Sequence, residues 1–505
     1  MAVDHVEIER KYDAAADYAL PELTDLPGVA SVTAPETHRL HATYFDTGDL
    51  RLAARGITLR RRRGGPDAGW HLKIPAGPDS KSELRAPLGR AQVVPARLAG
   101  LVAAFVRGAE LRPVATLETE RTVRRLLDGS GAVLAEVADD LVTGRVLAGG
   151  EAEGDGESWR EVEVELVEGT RELLKATGKR LRRAGARKAS SSSKLGRLLA
   201  DRIAHPTPRE ITERAKAGVG AHAPAAPTAG DAAVAYLAAQ VEALLTYDPK
   251  ARVAEYDAVH RMRVATRRIR SLLQSYRPVL DRERTDPIRA ELKWLAAVLG
   301  EVRDLEVLRM RFTERVEGLE DVGEPVWLEQ LARQERSAYR RLNTALKQPR
   351  YYALLDALEA LVADPPLTRR AARDAAEELP RLVLRAWRRL AAAYDAIAAS
   401  EDPETARHEV RKDAKRARYA AEAAVAVLGE PAKRTVRDAK RLQEVLGGYQ
   451  DGVIAAQHLR DAAARAKEPS EAFTLGVLYG IERCEAQSSL DRLDETWAGL
   501  PGPCF

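Results

Sequence analysis

The chain has 505 residues, enough for two or more domains, because single cores rarely grow beyond about 250–300 residues. Hydrophobic residues (45%) and charged residues (31%) are in ordinary proportion, and 80 Lys and Arg against 76 Asp and Glu leave a net charge of +4, so function must lie in how charges are arranged. Two cysteines, Cys484 and Cys504, exclude a disulfide scaffold or a cysteine-rich zinc site and fit a reducing compartment.

In chain order, the first element is Val6-Glu7-Ile8-Glu9-Arg10-Lys11-Tyr12. As a β-strand it places Glu7, Glu9 and Lys11 on one face and Ile8 on the other. That column suits the wall of a wet, charged cavity; taken alone it would equally suit a solvated face. Further strand signals follow at 43–47, ending in Gly48-Asp49, at 55–62, closed by Gly64-Gly65-Pro66, and at 70–74, its hairpin partner. A short helix is expected at 93–107. Strands are expected at 115–127, 132–146 and 159–167, with turns at Asp128-Gly129 and 149–156, and a basic helical stretch at 170–200 carries a serine run at 190–193. Antiparallel hairpins in this number predict a sheet closed on itself.

Charges alternate along these strands. Glu7 and Glu9 come from the first, Glu136 from 133–137, and Glu161, Glu163 and Glu165 from a strict alternation that puts Val162, Val164 and Leu166 on the opposite face. Lys11, Arg60, Arg62, Lys73 and Arg121 occupy strands in the same manner. A closed sheet would then carry an acidic wall facing a basic one. Carboxylates hold hard cations such as Mg²⁺ or Mn²⁺. Arginine and lysine grip phosphate oxygens. Two metals could polarise a phosphate and activate an attacking water.

Together with Tyr44-Phe45-Asp46-Thr47, Leu59-Arg60-Arg61-Arg62, Leu72-Lys73 and Ser193-Lys194, the Glu7-Ile8-Glu9-Arg10-Lys11 signature resembles the CYTH family of triphosphate tunnel metalloenzymes. The resemblance implies an α+β domain built on an eight-stranded antiparallel tunnel. It implies that Arg60, Arg62, Lys73, Arg121 and Lys194 grip a triphosphate and that Glu7, Glu9, Glu136, Glu163 and Glu165 serve the metals, two Mg²⁺ or Mn²⁺ ions, to which the strand alternation adds Glu161 as a further metal ligand. Glu7, Glu9, Lys11, Glu163 and Glu165 form the implied catalytic set, Lys11 contacting phosphate or tuning the acidic wall. Asp139 and Asp140 fit a ligand role or a turn-side role equally.

Residues 205–231 contain Pro206, Pro208, Pro224 and Pro227 among Ala and Gly and read as a connector. The expected domains are 1–203 (tunnel), 204–229 (linker) and 230–498 (all-α). In the last, strand signals vanish and two segments stand out, beginning at His260 and His408. Basic residues fall at the same offsets from each histidine: Arg263, Arg267 and Arg270, then Arg411, Lys415 and Arg418. At about 100° per residue, each set lies within roughly an 80° arc of its helix. Leu295–Gly300 with Asp304 recurs as Leu442–Gly447 with Asp451, and Lys293 as Lys440; 447 − 300 = 147 and 408 − 260 = 148 make this an internal repeat. Gly300 and Gly447 are expected to serve helix packing or a turn, and Asp304 and Asp451 to cap or orient bases. This duplicated helical bundle resembles the CHAD family, which implies that His260, Arg263, Arg267, Arg270, Lys293, His408, Arg411, Lys412, Lys415, Arg418 and Lys440 bind inorganic polyphosphate.

The expected activity is metal-dependent hydrolysis of inorganic triphosphate or short polyphosphate, with polyphosphate held by the helical domain. The alternatives are a non-catalytic polyphosphate-binding or targeting protein, and a hydrolase or cyclase acting on an organic triphosphate such as thiamine triphosphate. Nucleic acid ranks last as a partner, since the basic stripes lack interleaved aromatics and only 5% of residues are aromatic. No signal-peptide or bilayer-spanning apolar run is present, so a cytoplasmic chain without membrane contact is expected, and its Ala/Arg/Leu/Val bias suits a bacterial source.

Overall fold

Period-two alternation organises the N-terminal half. In the computed structural model, which describes residues 5–77, 79–203, 227–319 and 326–505, the strands are β1 (His5–Ala14), β2 (Ser31–Val32), β3 (Glu36–Asp46), β4 (Thr58–Arg63), β5 (Gly69–Gly77), β6 (Ser80–Ala86), β7 (Arg112–Leu127), β8 (Val133–Ala148), β9 (Glu151–Leu166) and β10 (Arg187–Lys188). Eight of them run β1-β6-β5-β4-β3-β7-β8-β9, and β9 pairs back with β1, closing an antiparallel barrel. β2 and β10 pair with β7 and β1 outside this ring. Closure leaves these eight strands no open edge between neighbours.

The outward positions bury apolar side chains under a helix. Tyr12, Val162, Val164 and Leu166 pack with Leu173, Leu174 and Leu181 of the helix Arg171–Arg183. Each such burial contributes roughly 1.5–3 kcal/mol. Thr170 starts the helix, its hydroxyl accepting from the Leu173 amide.

Four local expectations are corrected. The helix expected over 170–200 ends at Arg183; Gly185, at φ +106°, turns the chain, β10 follows, and a second helix runs Lys194–Leu198. The expected turn at 149–156 is confined to Gly149 and Gly150, both at positive φ, and the chain is already paired again from Glu151. β6 was not among the expected strands: Ser80-Lys81-Ser82-Glu83-Leu84-Arg85 has a single large apolar residue, so its alternation is written in charge rather than hydrophobicity. Asp139 and Asp140 lie within β8 rather than in a turn.

The chain divides into two units, Met1–Thr207 and Pro208–Phe505. Of the connector expected at 204–229, residues 204–226 lie outside the described residues. The second unit repeats one pattern of four consecutively packed helices: Ala229–Arg252, Ala258–Ser275, Arg282–Glu317 and Val326–Ala345, then Ala375–Asp395, Pro403–Leu428, Glu430–Ala463 and Pro469–Asp491. Thr228 and Asp374, which cap the opening helix of each copy, form an antiparallel bridge. The second helices of the two copies pack together, with the Tyr276 hydroxyl donating to the Ala420 carbonyl at 3.1 Å. No helix among the described residues is long and apolar enough to cross a membrane.

Gly64 carries the sharpest steric demand of the β4–β5 turn. It sits at φ +78°, and a Cβ there would lie 2.1 Å from the Arg39 carbonyl oxygen on β3. Gly64→Ala should lower stability by about 2–4 kcal/mol. Thermal melting checks this, with Gly129→Ala, whose added methyl meets nothing within 4 Å, as the control.

Candidate functional site

The inward face of the barrel encloses a cavity of about 420 Å³. Glu7, Glu9, Lys11, Arg60, Arg62, Lys73, Arg121, Glu136, Glu163, Glu165 and Lys194 all line it. Glu161 does not: its carboxylate accepts from the Trp159 indole at 2.9 Å and from Lys194 at 2.6 Å, behind the cavity wall. Register explains the arrangement. Lys11 lies opposite Glu163 and Glu9 opposite Glu165 across β1–β9, while Glu136 faces Glu165 across β8–β9. Acids thus concentrate on the contiguous strands β8, β9 and β1, and the arginines on β4 and β7.

The two walls are not simply opposed, because several bases already pair with acids. Lys73 reaches Glu7 at 2.5 Å, Lys81 reaches Glu9 at 2.8 Å, and Lys11 pairs with Glu163. Burial raises the Glu9 pKa, yet the ammonium groups of Lys11 and Lys81 outweigh it and hold Glu9 at about 2. Glu165 is different. Among the described residues no hydrogen bond or ion pair reaches its carboxylate, and burial, reinforced by Glu7, Glu9 and Glu163, pushes it up to about 7. On the other arc, burial and the neighbouring Arg60 and Arg121 bring Arg62 down to about 9, and the Nε groups of Arg60 and Arg62 are buried without hydrogen-bond partners. Arg62 also pairs with Asp67, so what each arc leaves unmatched is the Glu165 carboxylate on one side and two buried Nε donors on the other.

Asp140, Glu161 and Glu163 form a second acidic group, with one oxygen from each within 4.8 Å of the others. Such a triad could hold a metal, but Lys194 Nζ stands at 2.8, 2.6 and 2.6 Å from the three. These carboxylates pull the lysine pKa up against the burial that lowers it. Of the other cavity carboxylates, Glu7 and Glu9 are already paired with Lys73 and with Lys81 and Lys11, and Glu165 alone has no ion-pair partner among the described residues.

Sequence reasoning missed Lys81, Glu83 and Arg85, and left the choice between Asp139 and Asp140 open. Glu83 is buried, accepts from Arg85 and contacts His71 Nδ1 at 2.8 Å. Asp140 binds Arg121 with both oxygens, at 2.8 and 2.6 Å. Even spacing from Glu136 was the available signal for Asp140, whereas Asp139 points outward to Arg160. Within Tyr44-Phe45-Asp46-Thr47, Tyr44 lines the cavity while the Asp46 carboxylate accepts from the Thr47, Leu52 and Ala53 amides and fixes the turn toward β4.

In the helical unit, Arg263, Arg267, Arg270, Lys293, His408, Lys412 and Lys415 line one cavity of about 530 Å³, joined by Arg416 and Tyr419. His260, Arg411, Arg418 and Lys440 are not among its lining residues; Arg418 pairs with Glu422 at 2.8 Å and Lys440 with Glu444 at 3.0 Å. Burial, followed by Arg411, Arg267 and Arg263, brings Lys415 down to about 7. Asp304 contacts Arg263 at 3.5 Å and Asp451 contacts Arg411 at 3.8 Å, so the paired aspartates orient equivalent arginines. Gly300 and Gly447 are not in turns. They lie within helices beneath those same guanidinium groups, where a Cβ would make ordinary contact at 3.7 and 3.8 Å.

A charged antiparallel tunnel followed by a duplicated helical bundle defines a tandem of two domain classes. The CYTH domain family matches residues 5–198 and the CHAD domain family residues 235–460. The uncharacterized protein Rv2226 of Mycobacterium tuberculosis is 38% identical over 522 residues, covering 97% of each chain. The chain belongs to the family of proteins that carry a CYTH domain followed by a CHAD domain. Among solved structures, PptA from Streptomyces chartreusis is 24% identical, with 54% of this chain and 99% of that one covered and a TM-score of 0.45. The Hippeastrum protein HpAC1, described as a putative adenylyl cyclase with a dominant triphosphatase activity, is 18% identical, with 39% and 96% covered and a TM-score of 0.24. CYTH-family members are triphosphatases and cyclases and are metal-dependent.

Removing the Lys194 ammonium leaves three buried carboxylates short of their central counter-charge. Lys194→Met should cost about 3–5 kcal/mol. Millimolar Mn²⁺ should raise its melting temperature more than it raises that of the unsubstituted protein, as followed by calorimetry.

Proposed function

We propose that the tunnel hydrolyses inorganic triphosphate, or the end of a short polyphosphate, with a divalent cation, and that the helical cavity binds polyphosphate. The observation that supports the reading is a pair of complementary vacancies in one cavity: the buried Nε donors of Arg60 and Arg62, which lack acceptors although Arg62 also pairs with Asp67, and the carboxylate of Glu165, which has no partner among the described residues. Buried N–H groups without acceptors are costly and call for an anion. An acidic cluster calls for a cation. A phosphate chain carrying its metal supplies both.

In this reading Arg60, Arg62 and Arg121 bind the phosphate oxygens, Lys73 and Lys11 sit where the acidic and basic arcs meet, and Glu7, Glu9 and Glu165 would hold the cation. When bound, Mg²⁺ or Mn²⁺ supplies Lewis acidity toward the phosphate and lowers the pKa of a bound water. Residues of the chain contribute positioning and electrostatic stabilisation, which account for most of the rate in phosphoryl transfer. Tyr44 and His38 are the only rings lining the cavity among the described residues, and Tyr44 is already engaged by Arg60 at 3.3 Å. Little is left to stack on a nucleobase or a thiazolium ring, which favours an inorganic substrate.

Phosphate release from triphosphate in the presence of Mg²⁺ or Mn²⁺ tests the assignment. Glu7→Ala with Glu9→Ala should lower kcat by roughly 10²–10³-fold, and Arg62→Ala should raise KM by roughly tenfold. Activity that persists in the double variant removes the hydrolase reading.

For the helical cavity, a bound polyanion would return Lys415 toward its charged form. A lysine held at about 7 in the free protein and raised on binding takes up a proton above that pH. Affinity for polyphosphate should therefore be level below pH 7 and weaken as pH rises from 7 to 9. Lys415→Met should flatten this slope, with fluorescence titration at fixed ionic strength as the measurement.

A further inference from the structure

The helix Arg171–Arg183 presents a surface that the tunnel chemistry does not use. Residues 171–188 contain eight bases and one acid, Glu172. The buried positions Leu173, Leu174, Thr177, Gly178 and Leu181 face the barrel, while Arg171, Lys175, Lys179, Arg183, Arg187 and Lys188 are exposed. Among the described residues none of these six makes an ion pair, although salt bridges are common elsewhere on this chain. A basic C-terminal turn would be accounted for by the helix dipole. The dipole does not account for Arg171, which stands at the N-terminal end, where positive charge is unfavourable, or for Lys175 and Lys179 along the middle.

This ridge is continuous with the tunnel through the backbone. Lys188 and Arg187 pair with Tyr12 and Asp13 of β1, on the wall itself. Lys194, six residues beyond Lys188 (194 − 188 = 6), already lines the cavity. Six residues span at most about 20 Å. The segment between is held to the rim: Lys81, another lining residue, donates to the Ser192 carbonyl at 2.7 Å, and the Ser190 amide donates to Asp13 at 3.1 Å.

We infer that the exposed bases of 171–188 form an external track for a linear polyanion, namely a long polyphosphate chain whose end is in the tunnel. The choice of polyphosphate as occupant rests on the function proposed above; the track itself rests on the charge distribution. Unopposed like charges on one face raise the local concentration of an anionic chain and accelerate its capture. A triphosphate held by Arg60 and Arg62 leaves no further chain to lie along the helix, so the track distinguishes long substrates from short ones.

Lysine acetylation footprinting of the full chain, read by mass spectrometry, tests this without requiring turnover. Long-chain polyphosphate at low ionic strength should reduce labelling of Lys175, Lys179 and Lys188 by roughly tenfold, and triphosphate at equal phosphate concentration should leave all three unchanged. In the Lys175→Glu, Lys179→Glu, Arg183→Glu variant, Lys188 should lose this protection. Unchanged labelling with long chains overturns the inference, as does equal or stronger protection by duplex DNA. A tunnel without hydrolytic activity would remove the proposed reaction yet leave this footprint to stand or fall by itself.

Discussion

Everything in the N-terminal unit depends on the pairing of β1 with β9. That ladder closes the sheet, and its register sets Lys11 across from Glu163 and Glu9 across from Glu165. A shift of one residue would send every one of those charges to the outer face and bring Ile8, Tyr12, Val162 and Val164 inward. The register is held from outside, by the apolar contacts of Tyr12, Val162 and Val164 with the helix over β1 and β9. Hydrophobic packing thus pays for a charged interior that would be unfavourable by itself.

Within that interior, charge balance is local rather than global. Lys194 neutralises Asp140, Glu161 and Glu163 from one point, Arg121 adds a two-oxygen grip on Asp140, and Lys81 and Lys11 hold Glu9 ionised. What remains outside these pairs is the Glu165 carboxylate on one side and the Nε donors of Arg60 and Arg62 on the other. The difference between structural ion pairs and residues available to a ligand lies in who is left over, and a list of inward-facing charges does not make that distinction.

This explains which parts of the site were legible in the sequence. Alternation marked the inward faces of β1, β4, β5 and β9, because apolar residues on the opposite face made the period visible. It was silent for β6, where Lys81, Glu83 and Arg85 alternate with serines and one leucine, and it left Asp140 undistinguished from the adjacent Asp139. Glu161 was grouped with Glu163 and Glu165 on spacing alone; the lysine and indole that occupy it come from contacts no one-dimensional pattern records. In the helical unit the repeat was legible down to single residues. Offsets from a histidine nevertheless could not tell that Arg418 turns to Glu422 while Arg416, one step off the expected stripe, faces the cavity.

The bridge between Thr228 and Asp374 bears on the stoichiometry of the helical unit. The bridge joins the two opening helices at their caps, the second helices of the two copies pack together, and both of these second helices line one basin, with Lys293 of the third helix. Arg263, Arg267 and Arg270 come from the first copy, and His408, Lys412 and Lys415 from the second. The two copies thus form two banks of one cavity. Neither copy would be expected to retain a partial share of the basin if the other were lost.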